Sequence, residues 1–142
     1  MYGRRCQQDQ IEHEVRVTDL ALLFKDFGFE RGVKVGRTEA DAKTIYRGRR
    51  CYIEVDNSGK MTAKQFQAKW KRYEPLNEKS AELGKETELE FILVVALTES
   101  RMHRIRRTAE LLKDIVLFTT FERLESGMPN PWVDWPGKTV HL

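Results

Sequence analysis

Apolar positions in the first part of the chain recur at helical spacing. His13, Val17, Leu20, Phe24 and Phe27 fall on one face and predict a helix over residues 9–27, stopped by Gly28. Ile11, Val15 and Leu22 form a second, narrower line on nearly the opposite side. Such a helix is either covered on both faces or touches another chain, and a homodimer through this helix is one expectation. The pattern then changes to strands: a weak one over 29–35, another over 41–46, and a third over 50–56 after an Arg47-Gly48-Arg49 turn. The third alternates cleanly, with Cys51, Ile53 and Val55 on one face and Tyr52, Glu54 and Asp56 on the other. Asn57-Ser58-Gly59 ends it. Thr62-Ala63-Lys64-Gln65 has capping-box spacing and opens a helix that runs until Pro75, with Phe66, Trp70 and Tyr73 on its buried face.

Residues 89–97 are almost continuously apolar, as in a strand covered on both sides. A third helix is predicted over 99–113, with Met102, Ile105, Ala109 and Leu112 inward, and a final buried strand over 115–120. The remainder, with Trp132 and Trp135 among Gly and Pro, reads as irregular. Hairpin-connected strands followed by βαβ crossovers imply a mixed sheet flanked by helices, an α/β sandwich. At 142 residues the chain is expected to be one domain, 1–142, with its core over about 9–120 and an extension over 121–142.

Composition narrows the function classes. The longest apolar run, residues 91–97, is strand length and far below the ~20 residues of a spanning helix, so no membrane partner is expected. Cys6 and Cys51 sit in no zinc or C-x-x-C spacing, and the start shows no signal-peptide pattern, so a cytoplasmic location is expected. The net charge of +3 does not by itself call for nucleic acid. Its distribution matters more: basic residues gather at Arg47, Arg49 and Arg50, at Lys69, Lys71 and Arg72, and at Arg101, Arg104, Arg106 and Arg107. Arg101, Arg104 and Arg107 suit DNA binding through phosphates, and solubility is the plainer alternative. Trp132 and Trp135 either stack on bases or lid a core.

Candidate chemistry lies in the acids of the paired strands. If these strands are neighbours, Asp41, Glu54 and Asp56 meet at one sheet edge, where mutual repulsion calls for a cation or a lysine. Mg²⁺ is the expected cofactor, because it accepts a few carboxylates and keeps several waters. Such an ion polarises a phosphodiester and lowers the pKa of a bound water. Lys69 is the candidate amine. At roughly 100° per residue it lies about 60° from Phe66 on the helix, at the margin of the buried face. From there it either reaches the carboxylates or merely covers apolar surface with its stem. His13 and Glu14 are supporting candidates on the first helix: His13 is a packed histidine or a polar group aimed at Asp41, and Glu14 an outer-shell ligand.

The run His13-Glu14, Asp41-Ala42, Glu54-Val55-Asp56 and Lys69-x-x-x-Tyr73, with Glu99-Ser100-Arg101 and Val116-Leu117-Phe118-Thr119 after it, resembles the replication-relaxation family of plasmids and other mobile elements. That family looks related to the PD-(D/E)XK, or restriction-endonuclease-like, nucleases. The resemblance spans about residues 11–120. It implies a three-layer sandwich with an αβββαβ core, here extended by a helix and a strand, and a catalytic set of Asp41, Glu54, Asp56 and Lys69 supported by His13, Glu14 and Tyr73. Ala40 stands where the motif's proline would be, and Asp56 where its lysine would be; Lys69 would then be a replacement supplied by the helix. The winged-helix domain that longer members carry upstream is expected to be absent. Three functions follow as expectations: a Mg²⁺-dependent DNA endonuclease of a plasmid or mobile element, in which Asp41 and Glu54 would hold the metal, a nuclease-fold module that binds DNA without cutting it, and a protein-interaction domain.

Overall fold

The computed structural model describes residues 2–24, 28–35, 38–46, 48–56, 60–75 and 91–141, apart from the side chains of 2–10, 13 and 35. Its elements are α1 (Tyr2–Leu23), β1 (Glu30–Val35), β2 (Thr38–Tyr46), β3 (Arg49–Asp56), α2 (Ala63–Arg72), β4 (Phe91–Ala96), α3 (Glu99–Arg106), β5 (Val116–Thr120) and α4 (Phe121–Glu125). The five strands form one open sheet in the order β1-β2-β3-β4-β5. β1, β2 and β3 are antiparallel neighbours, whereas β3, β4 and β5 run parallel. The fold is therefore mixed α/β. No helix among the described residues is long and apolar enough to cross a membrane.

Strand alternation sorts side chains to the two faces. Val17, Leu20 and Phe24 of α1 pack on Cys51, Ile53 and Val55 of β3 and on Leu93, Val95 and Leu117. On the other face, Phe66, Trp70 and Tyr73 meet Met102 and Ile105 of α3 over Tyr52, Ile92, Val94 and Phe118. The second apolar line of α1 stays uncovered: Ile11, Val15 and Leu22 are exposed. The helix also begins earlier than its periodicity indicates, at Tyr2. Phe27 and the side chain of His13 lie outside the described residues.

Local chemistry sets the remaining boundaries. Thr62 accepts a hydrogen bond from the Gln65 N–H while the Gln65 side chain accepts from the Thr62 N–H, a complete capping box. The third helix is shorter than predicted. It stops at Arg106, and a 3₁₀ turn at Glu110–Leu112 takes over. Thr108 explains the break: its hydroxyl donates to the Ile105 carbonyl at 2.6 Å and accepts from Trp70 Nε1 at 2.9 Å, so it competes with the helical ladder. Ala109 and Leu112 still reach the core.

The C-terminal stretch is more ordered than its composition suggests. Thr120 caps α4 by accepting from the Arg123 N–H. Val133 then exchanges both backbone hydrogen bonds with Phe118 at 2.8 Å, which covers part of the outer edge of β5. Trp132 is buried edge-on to Tyr46, and Trp135 packs against the opposite core. Trp132 is therefore a core residue and not a base-stacking platform, because its ring is already covered.

Candidate active site

The site is built at a fork in the sheet. β2 and β3 pair from Tyr46↔Arg49 to Ala42↔Ile53 and then separate, β2 continuing along β1 and β3 along β4. Asp41 and Glu54 are the residues just past the last pair. Asp41 Oδ2 accepts a hydrogen bond from the Val55 N–H at 2.8 Å, so a side chain satisfies an amide that has left the β2–β3 ladder. This bond places the Asp41 carboxylate one residue along the backbone from Glu54.

Glu54 points to the α2 side of the sheet and is only 3% exposed. Two groups meet it there, one from α2 and one from the residue that caps its C-terminus. Tyr73 Oη donates to Glu54 Oε1. Lys69 Nζ forms an ion pair with Oε2 at 2.5 Å. Lys69 and Tyr73 are four residues apart, and their spacing puts them on adjoining parts of one helix face. Burial pushes the Glu54 pKa up from 4.5 to about 7; the Asp41 charge adds to the rise, and the Lys69 ammonium and Tyr73 hydroxyl oppose it. Burial, with the Glu54 charge beside it, also drives the Tyr73 phenol well above its usual range. Tyr73 therefore stays protonated and remains a donor to Glu54.

Two clefts open beside this pair. Asp41 lines one of about 330 Å³ between α1 and the β1–β2 hairpin, together with Glu14, Arg31 and Glu39. Lys69 lines the other, of about 840 Å³, between the same hairpin and α2. Glu39 borders both. Glu14 is bound by Arg31, whose guanidinium bonds its carboxylate and also reaches Thr18 Oγ1 at 3.3 Å. Gly32 permits the tight wall here: its φ is +61°, and a Cβ would come within 3.1 Å of Glu39 Oε1.

Asp56 does not join the cluster. Its carboxylate takes Arg101 Nε at 2.8 Å and Nη2 at 3.3 Å, and the same guanidinium donates to the Met61 carbonyl at 2.8 Å. The Arg101 side chain is 11% exposed and sits over the Phe66 ring. Asp56, expected to assist catalysis, and Arg101, expected to grip DNA, instead face each other: each neutralises the other, and Arg101 ties α3 to β3 and to the start of α2. Arg106 is likewise turned inward, to the Trp135 carbonyl at 2.7 Å. Of the candidate DNA contacts, Arg104 and Arg107 remain exposed.

The arrangement brings Asp41, Glu54, Lys69 and Tyr73 together and places Glu14 on the same cleft as Asp41. Arg31 escaped the sequence reading, because Gly32 interrupts the alternation of β1 and no motif marks the strand. No group of three or more His, Cys, Asp or Glu among the described residues could hold a metal ion. The donor set still suits a hard divalent cation: Mg²⁺ is commonly held by one or two carboxylates with water and phosphate oxygens completing its shell. Asp41 and Glu54 are such a pair, the second of them already faced by the Lys69 ammonium. Compared with protein-family models, curated proteins and solved structures, the chain matches none.

Proposed function

We propose that this protein is a divalent-metal-dependent DNA endonuclease with a restriction-endonuclease-like fold, acting in the replication, relaxation or transfer of a plasmid or other mobile element. The observation that carries the reading is the contact of Lys69 with Glu54 at the fork beside Asp41. The element order, three antiparallel strands after a helix and then a crossover to a parallel strand, supports it as well.

Asp41 and Glu54 would hold the cation, which when bound supplies a Lewis acid to the phosphodiester and its hydrolytic water. The chain's own groups do the rest. Val55 fixes the Asp41 carboxylate through its amide, and Tyr73 fixes Glu54 by donating to Oε1. The Lys69 ammonium, at the mouth of the site, balances negative charge that builds on the non-bridging phosphate oxygens as water attacks phosphorus and the P–O bond to the leaving group breaks. A preorganised ammonium in a partly buried site does this without reorganisation cost at the moment of reaction.

The Asp56–Arg101 pair favours a second reading, a nuclease-fold module that binds without cutting, since the position two residues after Glu54 brings no free amine to the site. Nicking of supercoiled plasmid separates the two. The nuclease reading expects Mg²⁺- or Mn²⁺-dependent nicking that Asp41→Asn, Glu54→Gln and Lys69→Ala each abolish. Salt-sensitive binding with no nicking in either metal would leave the binding module. Nicking that survives all three substitutions would remove this site from the reaction.

A further inference from the structure

The larger cleft is a basic channel in which two of the three lining cations, Lys34 and Arg72, have no partner among the described residues. Among the described residues, Lys34 of β1 and Lys69 and Arg72 of α2 line it with a single acid, Glu39. Lys34 and Glu39 are cross-strand partners in the β1–β2 register, yet they form no ion pair, and no described residue pairs with Arg72. Both cations are exposed, one on each wall. The rest of the described lining is Thr38, Met61, Gln65 and Ala68, and it includes no aromatic ring. A channel of this kind suits a chain of regularly spaced anions gripped from two sides. Its described residues offer no face on which a base could stack.

We propose that this cleft is a phosphate-backbone subsite, in which Lys34 and Arg72 grip phosphodiesters next to the one that reaches Lys69. The inference rests on the proposed function in one respect: Lys69 is both a wall of the channel and the partner of Glu54, so a strand lying in the channel is delivered to the carboxylates. Recognition there is of the backbone and independent of base sequence. The strand enters between the β1–β2 hairpin and α2, in a cleft whose described lining includes neither Arg104 nor Arg107.

The test is fluorescence anisotropy with a labelled single-stranded oligodeoxynucleotide of mixed sequence, in excess chelator so that binding is read without cleavage. Lys34→Glu/Arg72→Glu is compared with Lys64→Glu/Lys71→Glu, which makes the same charge change at exposed α2 positions outside the cleft. All four positions are exposed, and thermal melts check that both variants fold. The subsite predicts that the first variant binds about tenfold more weakly and that its log–log salt slope becomes shallower by about 1.4, the value for two lost single-strand phosphate contacts. The control variant should lose much less. Equal losses in the two variants, or no measurable binding by the wild type, would overturn the subsite. Metal-dependent plasmid nicking, measured separately, judges the nuclease reading: nicking by the wild type with unaltered binding by Lys34→Glu/Arg72→Glu would reject the subsite alone.

Discussion

The Lys69 ammonium lies against the carboxylate of Glu54, a residue that the sheet and α2 remove almost entirely from water. Such a pair costs desolvation that its attraction only partly offsets, and removing one partner leaves a buried charge. Lys69→Ala is therefore expected to lower stability by about 3 kcal/mol at pH 8. The loss should be smaller at pH 5, where Glu54 can stay neutral. Urea denaturation at the two pH values reads this directly, and equal losses at both would show that Glu54 does not depend on Lys69 for its charge.

Glu54 also sets a pH dependence. Its pKa is about 7 in the fold against an ordinary 4.5, so the folded protein holds this proton more tightly than the unfolded chain. The stabilisation from the protonated form is complete below about pH 4.5 and disappears as pH rises through 7. Glu54→Gln removes the titration. Wild-type stability relative to Glu54→Gln should accordingly fall between pH 4.5 and pH 8, by on the order of 3 kcal/mol. A constant difference across that range would mean that burial does not raise the pKa.

Asp41 has two separable roles. Asp41→Asn keeps an oxygen acceptor for the Val55 N–H and should change stability by less than about 1 kcal/mol, whereas Asp41→Ala leaves that amide unpaired and should cost roughly 1–3 kcal/mol. Both remove the negative charge beside Glu54, so both should lower the Glu54 pKa in a carboxyl NMR titration. An unchanged titration would mean that the two carboxylates are not coupled.

The Asp56–Arg101 pair is assigned to architecture. Asp56→Leu and Arg101→Met should each cost about 3–5 kcal/mol, and the double variant much less than their sum, because it strands no charge. Additive losses in the double-mutant cycle would sink the assignment.

The local parts of this fold were legible. The alternation of 51–56 put Glu54 and Asp56 on one face, the spacing Phe66, Trp70, Tyr73 gave the buried side of α2, and Thr62 with Gln65 marked its start. What alternation cannot give is partnership across distance. Glu54 and Asp56 share a face, yet one meets Lys69 and the other meets Arg101, 45 residues away in sequence. The fork between β2 and β3 was hidden for the same reason: strand propensity does not tell where a ladder ends. Thr108 broke a helix that the apolar spacing continued, because a single hydroxyl outcompeted the ladder while the inward residues kept their places. Trp132 and Val133 lacked any period, and their burial follows only from the edge of β5 that they cover.

Arg101 has a further bearing on how mutants are interpreted. Its one planar head spans the end of β3, the backbone ahead of α2 and the ring of Phe66, so it sets the docking angle of the helix that carries Lys69. Loss of that head would loosen the helix and with it the placement of the amine, without Arg101 touching the site itself. An arginine scan scored only on nucleic-acid processing would then report a false contact residue, and a melting curve on the same sample would expose it.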